Sequence, residues 1–129
     1  MTARSEAVVK WGLVIFGSVT LIMMGAVIAP SAVLEATFGT TVSDPLALMI
    51  VRSWGALIGL MGALLITAAW HPGQRFGSVL VVMVSKIVFL GLLVLYGQMY
   101  LRAAAGTIVI DMAAIVFLAW CLFRPKIRA

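Results

Sequence analysis

Residues 46–70 read LALMIVRSWGALIGLMGALLITAAW, a run of twenty-five positions that carries one charge, Arg52. As a helix rising 1.5 Å per residue this run is about 37 Å long, more than the roughly 30 Å hydrocarbon core of a bilayer, so it reads as a membrane span. Its ends are also written in the sequence. Ser43-Asp44-Pro45 offers a capping side chain followed by proline at the first helical position, and His71-Pro72-Gly73 stops the helix. Inside the run, Gly55, Ala56, Gly59 and Ala63 follow Arg52 at spacings of three, four, seven and eleven, which puts the charge and the small residues on one face. Gly55, Gly59 and Ala63 are therefore expected to form a helix-packing stripe, because helices in lipid associate by close approach rather than by excluding water.

Outward from this stretch, three more apolar runs appear at about 8–29, 76–101 and 107–123. The first stops at Pro30, and it continues too far without a small-residue cleavage site to be a signal peptide, so it is expected to be a retained helix. With 64% hydrophobic and 10% charged residues over 129 positions, the chain has far too much apolar surface for a water-soluble core of this size. The expected fold class is all-α: one polytopic integral membrane domain over 1–129, a bundle of four transmembrane helices. Four crossings bring both termini to one side. Arg4, Lys10, Arg75, Arg124, Lys126 and Arg128 fall on that side and only Arg102 on the other, six against one, so both termini are expected in the cytoplasm.

The longest connection, between Pro30 and Pro45, places Val33, Leu34 and Phe38 at helical spacing around Glu35, with Gly39 positioned to end a turn. A short interfacial helix is expected there. Trp54 and Trp70, near opposite ends of the second span, read as interfacial anchors.

The charges within the spans carry what functional information there is, since an ionisable group in a bilayer has to be shielded, paired or used. Lys86 falls near the middle of the third span, where it needs a carboxylate, a cavity or a lowered pKa. On its face lie Phe89, Leu93, Tyr96, Gly97 and Tyr100, of which Tyr96 and Tyr100 are candidate lining residues of a polar cavity. Asp111 is the one carboxylate inside a run, and its partner depends on the end used to measure depth. From the outer ends it is level with Arg52, and from the inner ends with Lys86. Arg52 is the favoured partner on the expectation that the third span is long and tilted. Either pairing leaves one cation unmatched, to be met by Glu35 folding inward, by an anionic ligand or by a lipid headgroup.

Other chemistry finds no footing in the sequence. One cysteine, Cys121, and one histidine, His71, do not make a metal or haem site, and neither a nucleotide loop, an HExxH motif, a nucleophile elbow nor a carboxylate pair is present. No cofactor, metal or catalytic residue is expected. The net charge of +5 comes from basic residues scattered singly or in pairs, a topology pattern rather than a nucleic-acid surface.

Four spans, a proline-bearing outer loop, Arg52-x-x-Gly55-x-x-x-Gly59, Pro72-x-x-Arg75 and the mid-helix Lys86 together resemble the small bacterial membrane proteins grouped as DoxX-like. That resemblance implies a four-helix fold in the bacterial inner membrane and no particular mechanism. Two functional expectations follow. The leading one is a non-enzymatic accessory or interaction subunit, with a membrane-protein partner or a second copy of the chain meeting the small-residue stripe. The alternative is a small-molecule or anion binder or transporter with its polar centre at Arg52, Lys86 and Asp111.

Overall fold

In a computed structural model that describes residues 3–124, every regular element is helical. Helix α1 (Ala3–Leu21) tightens into a 3-10 segment (Ile22–Val27) and is followed by the short α2 (Pro30–Phe38), α3 (Pro45–Trp70), α4 (Arg75–Tyr96) and α5 (Ala105–Phe123). Four stretches, Ala3–Val27, Pro45–Trp70, Pro72–Tyr96 and Ala105–Phe123, are long and apolar enough to cross a bilayer. Their outward faces keep large apolar side chains such as Ile15, Leu57, Leu95 and Val116 more than half exposed, a surface suited to acyl chains and not to water. Lys126 and Arg128 of the basic count lie outside the described residues.

The local signals near α2 and α3 act as their chemistry requires. Pro30 and Pro45 each open a helix, where the missing N–H costs nothing. The Asp44 carboxylate accepts from the Ala47 backbone N–H at 2.9 Å. Gly39 ends α2 at φ 75°, the left-handed conformation that a side chain disfavours, and its N–H donates to the Glu35 carbonyl.

Contacts run around the bundle in the order α1, α3, α4, α5, with the closest seam between α1 and α3. The small residues explain that closeness. A Cβ on Gly62 would stand 2.5 Å from the Gly17 carbonyl oxygen and 2.5 Å from the Leu21 nitrogen, so the two backbones meet with no room for a side chain. Gly55 and Gly59 extend the seam toward the far end against Ala26 and Met24. The third member differs from expectation, because Gly62 is buried in the seam and Ala63 is only partly buried beside it. In the half nearer the termini the bundle closes on Val9, Leu13, Leu65, Val79, Leu118 and their neighbours, all withdrawn from the surface.

Two boundaries depart from the sequence reading by five residues: the first helix begins at Ala3 instead of Val8, and the fourth ends early. Helix α4 stops at Tyr96 instead of Leu101, where Gly97 interrupts it and a 3-10 turn (Gln98–Tyr100) begins. Glycine has the weakest helical preference apart from proline, and the apolar residues beyond it concealed the stop.

Candidate functional site

Two polar assemblies mark the ends of the bundle, and a third lies inside it. At the terminal end Arg75, 3% exposed, is the most deeply buried charged side chain described. Its Nε donates to the Ala68 carbonyl at 3.0 Å, Nη2 donates to the Ala69 carbonyl at 2.7 Å and Nη1 donates to Glu6 at 2.9 Å. The guanidinium thus binds the last turn of α3, where carbonyls lack the N–H of a continuing helix, to a carboxylate in the first turn of α1. Sequence reasoning took Arg75 for an ordinary loop cation. The signal for its role was Glu6, the carboxylate at the start of α1. Around this end, Lys10 lies 5.0 Å from the Trp70 ring centre and Arg124 lies 4.4 Å from that of Trp120, a belt of basic and aromatic groups.

At the far end Arg52 donates from Nη1 to the Val27 carbonyl, at the close of the first span. A cation there meets unpaired carbonyls and the negative end of a helix dipole. Arg52 itself is exposed. It takes no part in a polar centre with Asp111, which corrects the favoured pairing.

The third assembly is the ion pair of Lys86 and Asp111. Nζ lies 2.9 Å from Oδ1, and the two side chains are 11% and 13% exposed. Depth alone does not choose the partner: Arg52, seven residues into α3, is still level with Asp111, but the rotation of α3 turns it to the Val27 carbonyl. With the helix ending at Tyr96, Lys86 sits ten residues from that end, about 15 Å deep, and Asp111 sits six residues into α5, about 9 Å deep. A four-carbon lysine stem spans the difference.

Above and beside this pair is a cavity of about 130 Å³ in the far half of the bundle. All four spans and α2 contribute to it: Thr20 from α1, Thr37 from α2, Trp54 from α3, Ser85 and Lys86 from α4, Asp111 from α5. Its walls are mainly apolar, with Met23, Ile58, Met61 and Phe89 among them, and its polar groups converge from different helices. The Thr20 hydroxyl donates to the Phe16 carbonyl at 2.7 Å. Among the described residues no hydrogen bond ties the hydroxyls of Ser85 and Thr107, so both are available to an occupant.

The far mouth is roofed by aromatic rings. Phe38, the last residue of α2, packs against Trp54 at 6.2 Å, Phe89 at 6.4 Å and Tyr100 at 5.9 Å between ring centres. Trp54 is a wall of the cavity. Tyr100 reaches the roof from the 3-10 turn, outside the cavity proper, and Tyr96 is 83% exposed and turned away. Glu35 is exposed on α2 and forms no ion pair among the described residues. Of the six candidate polar-centre residues, then, the fold unites Lys86 and Asp111, places Tyr100 at the roof, and sets Arg52, Glu35 and Tyr96 elsewhere. Ser85, Thr20, Thr37 and Thr107 were missed, since a hydroxyl in an apolar run carries no mark of which way it faces.

Among the described residues no group of three or more His, Cys, Asp or Glu side chains could hold a metal ion. No family model matches this chain, and no curated protein or solved structure is significantly similar to it.

Proposed function

We propose that this chain is an integral membrane protein that binds a small molecule in the cavity beside Lys86 and Asp111, with both termini in the cytoplasm of a bacterial inner membrane. One observation carries the binding reading. A compensated ion pair, held between two helices, faces an open space to which every span contributes a side chain. Taking both charges out of water costs several kcal/mol per ion, so the space beside the pair suits an occupant whose polar atoms complete the hydrogen bonds that Lys86 and Asp111 leave open. The basic and aromatic belt at the terminal end supports the orientation.

The cavity itself holds no surplus cation, since Lys86 is paired with Asp111 and Arg52 is exposed at the far end and does not line it. The occupant is therefore uncharged. The accessory-subunit reading drew on the small-residue stripe, and the chain's own first span fills that face at Gly55, Gly59 and Gly62. The DoxX-like resemblance implies the span number and membrane without a chemistry, so the reading rests on the cavity alone.

Phenol is a suitable probe, because an apolar cavity of about 150 Å³ accommodates benzene. Phenol is expected to raise the thermal stability of the purified protein in mild detergent. Ser85→Met, which fills the space while leaving the ion pair intact, should abolish the response. Equal stabilisation of both proteins, or none of either, would refute the reading.

A further inference from the structure

The walls of this cavity are not equally closed. In the half nearer the termini α1 and α5 meet firmly: the rings of Phe16 and Phe117 lie 5.4 Å apart, and a Cβ on Gly12 would collide with the Phe117 ring at 2.1 Å. Further along, both helices carry residues that line the cavity and are also exposed. Val19 on α1 and Ile110 on α5 both line the cavity, yet they are 40% and 46% exposed on the outer surface. A side chain that faces both a cavity and the surface stands at an opening. This one lies within the apolar stretches of α1 and α5, where the surroundings are acyl chains.

The route from water is covered by contrast. Thr37, at the end of α2, is only 7% exposed, and the Phe38 ring closes over Trp54, Phe89 and Tyr100. Size and charge then narrow the occupant. A space of about 130 Å³ is below the roughly 300–1,000 Å³ of sites that enclose a whole drug-sized ligand, so it accepts a headgroup and leaves any long chain outside. A charged head would upset a pair already balanced and remain unmatched in low dielectric. A hydroxyl suits the pair, because it donates to a carboxylate lone pair of Asp111 and accepts one of the two protons that Lys86 has beyond the bond to Asp111.

We infer that the cavity admits, sideways between α1 and α5, the uncharged hydroxyl head of a membrane-dissolved amphiphile whose chain stays in the bilayer. This rests on the binding reading above and specifies the source and class of the ligand. The probe is a long-chain alcohol with a photoreactive diazirine next to its hydroxyl, incorporated with the protein into phosphatidylcholine nanodiscs. Irradiation and peptide mapping should place label on the cavity residues Met61 and Ser85, and the same chain lacking the hydroxyl should label only outward faces. Ile110→Trp, which blocks the opening, should lower cavity labelling by at least about tenfold, since an excluded head forgoes its hydrogen bonds to both charged groups. Val109→Trp, on an adjacent residue that is 67% exposed and does not line the cavity, should leave it unchanged. Monodisperse elution and helical circular dichroism of both variants show that each is folded. Cavity labelling that is indifferent to Ile110→Trp, or to loss of the hydroxyl, would overturn the inference. If phenol still stabilises the protein while the alcohol labels no cavity residue, the lateral amphiphile is refuted and small-molecule binding stands. Failure of phenol as well would remove both.

Discussion

Asp111→Asn should destabilise the bundle by about 2–3 kcal/mol, and the loss should be partly recovered by adding Lys86→Gln but not by adding Arg52→Gln. At 2.9 Å and an effective dielectric of about 20, the attraction between Lys86 and Asp111 is about 6 kcal/mol before the cost of desolvating both groups is subtracted. Removing one partner from a fully buried pair costs about 3–5 kcal/mol, because the other charge is stranded. The side chains here keep 11% and 13% exposure beside a cavity, so a stranded charge is not wholly desolvated, which brings the expected loss below that range. In the Lys86→Gln and Asp111→Asn double variant no charge is stranded, and two amides replace the ion pair with a neutral hydrogen bond. The double variant should therefore be more stable than the sum of the single losses by about 1–3 kcal/mol. Reversible unfolding in mixed micelles, followed by circular dichroism over the full double-mutant cycle, measures this coupling. Additive losses for Lys86 and Asp111, or recovery with Arg52→Gln in its place, would refute the pairing on which the candidate site depends.

The other predictions concern the seams, the terminal clamp and the orientation. Gly62→Ala should destabilise by about 1–3 kcal/mol, since its Cβ would meet backbone atoms that cannot turn aside; Gly91→Ala, with nothing within 4 Å, should be neutral or stabilising by up to about 1 kcal/mol. Equal melting of the two variants would contradict the close seam. Arg75→Lys should lower thermal stability nearly as much as Arg75→Ala, because an ammonium cannot reproduce a fork that joins two carbonyls and Glu6. Full stability of Arg75→Lys would show that charge alone suffices. In intact cells of a Cys121→Ser background, a cysteine at Thr40 should react with an impermeant maleimide and one at Gly73 should not; the opposite pattern would reverse the orientation.

What the sequence disclosed and what it hid divide along physical lines. Span number, the α2 helix and the start of α3 follow from local chemistry: apolar length against bilayer thickness, Gly39 as a left-handed stop, and Asp44 with Pro45 as a cap. The presence of a pairing need at Lys86 and Asp111 was legible too, since a charge in an apolar run is costly wherever it lies. The choice of partner was not. It turned on the end of α4 at Gly97 and on the rotation of α3, which sends Arg52 toward Val27. Periodicity reports the spacing of residues on one helix and is silent on the rotation of that helix against its neighbours. For the same reason Gly62, Ser85 and Thr107 gave no sign of their positions, and the clamp between Arg75 and Glu6 joins residues sixty-nine positions apart.

The three polar assemblies also determine where the bundle is free to open. Arg75 ties α4 to the last turn of α3 and the first turn of α1, and Arg52 ties α3 to the far end of the first span. Together with the glycine seam, these hold α1, α3 and the start of α4 against one another. Helix α5 is joined to them by apolar packing of Leu118, Cys121 and Leu122 in the terminal half, by the Phe117 ring against α1, and by the Lys86 and Asp111 bond further along. Its far half therefore has one strong polar attachment, and that attachment is the group that a ligand's hydroxyl would engage. An occupant that shares the hydrogen bonds of Lys86 and Asp111 loosens the tie that positions α5 in the half where Val19 and Ile110 are exposed beside the cavity. Entry of the head and widening of the seam are thus coupled through one ion pair, and neither requires the α1 and α3 seam to move.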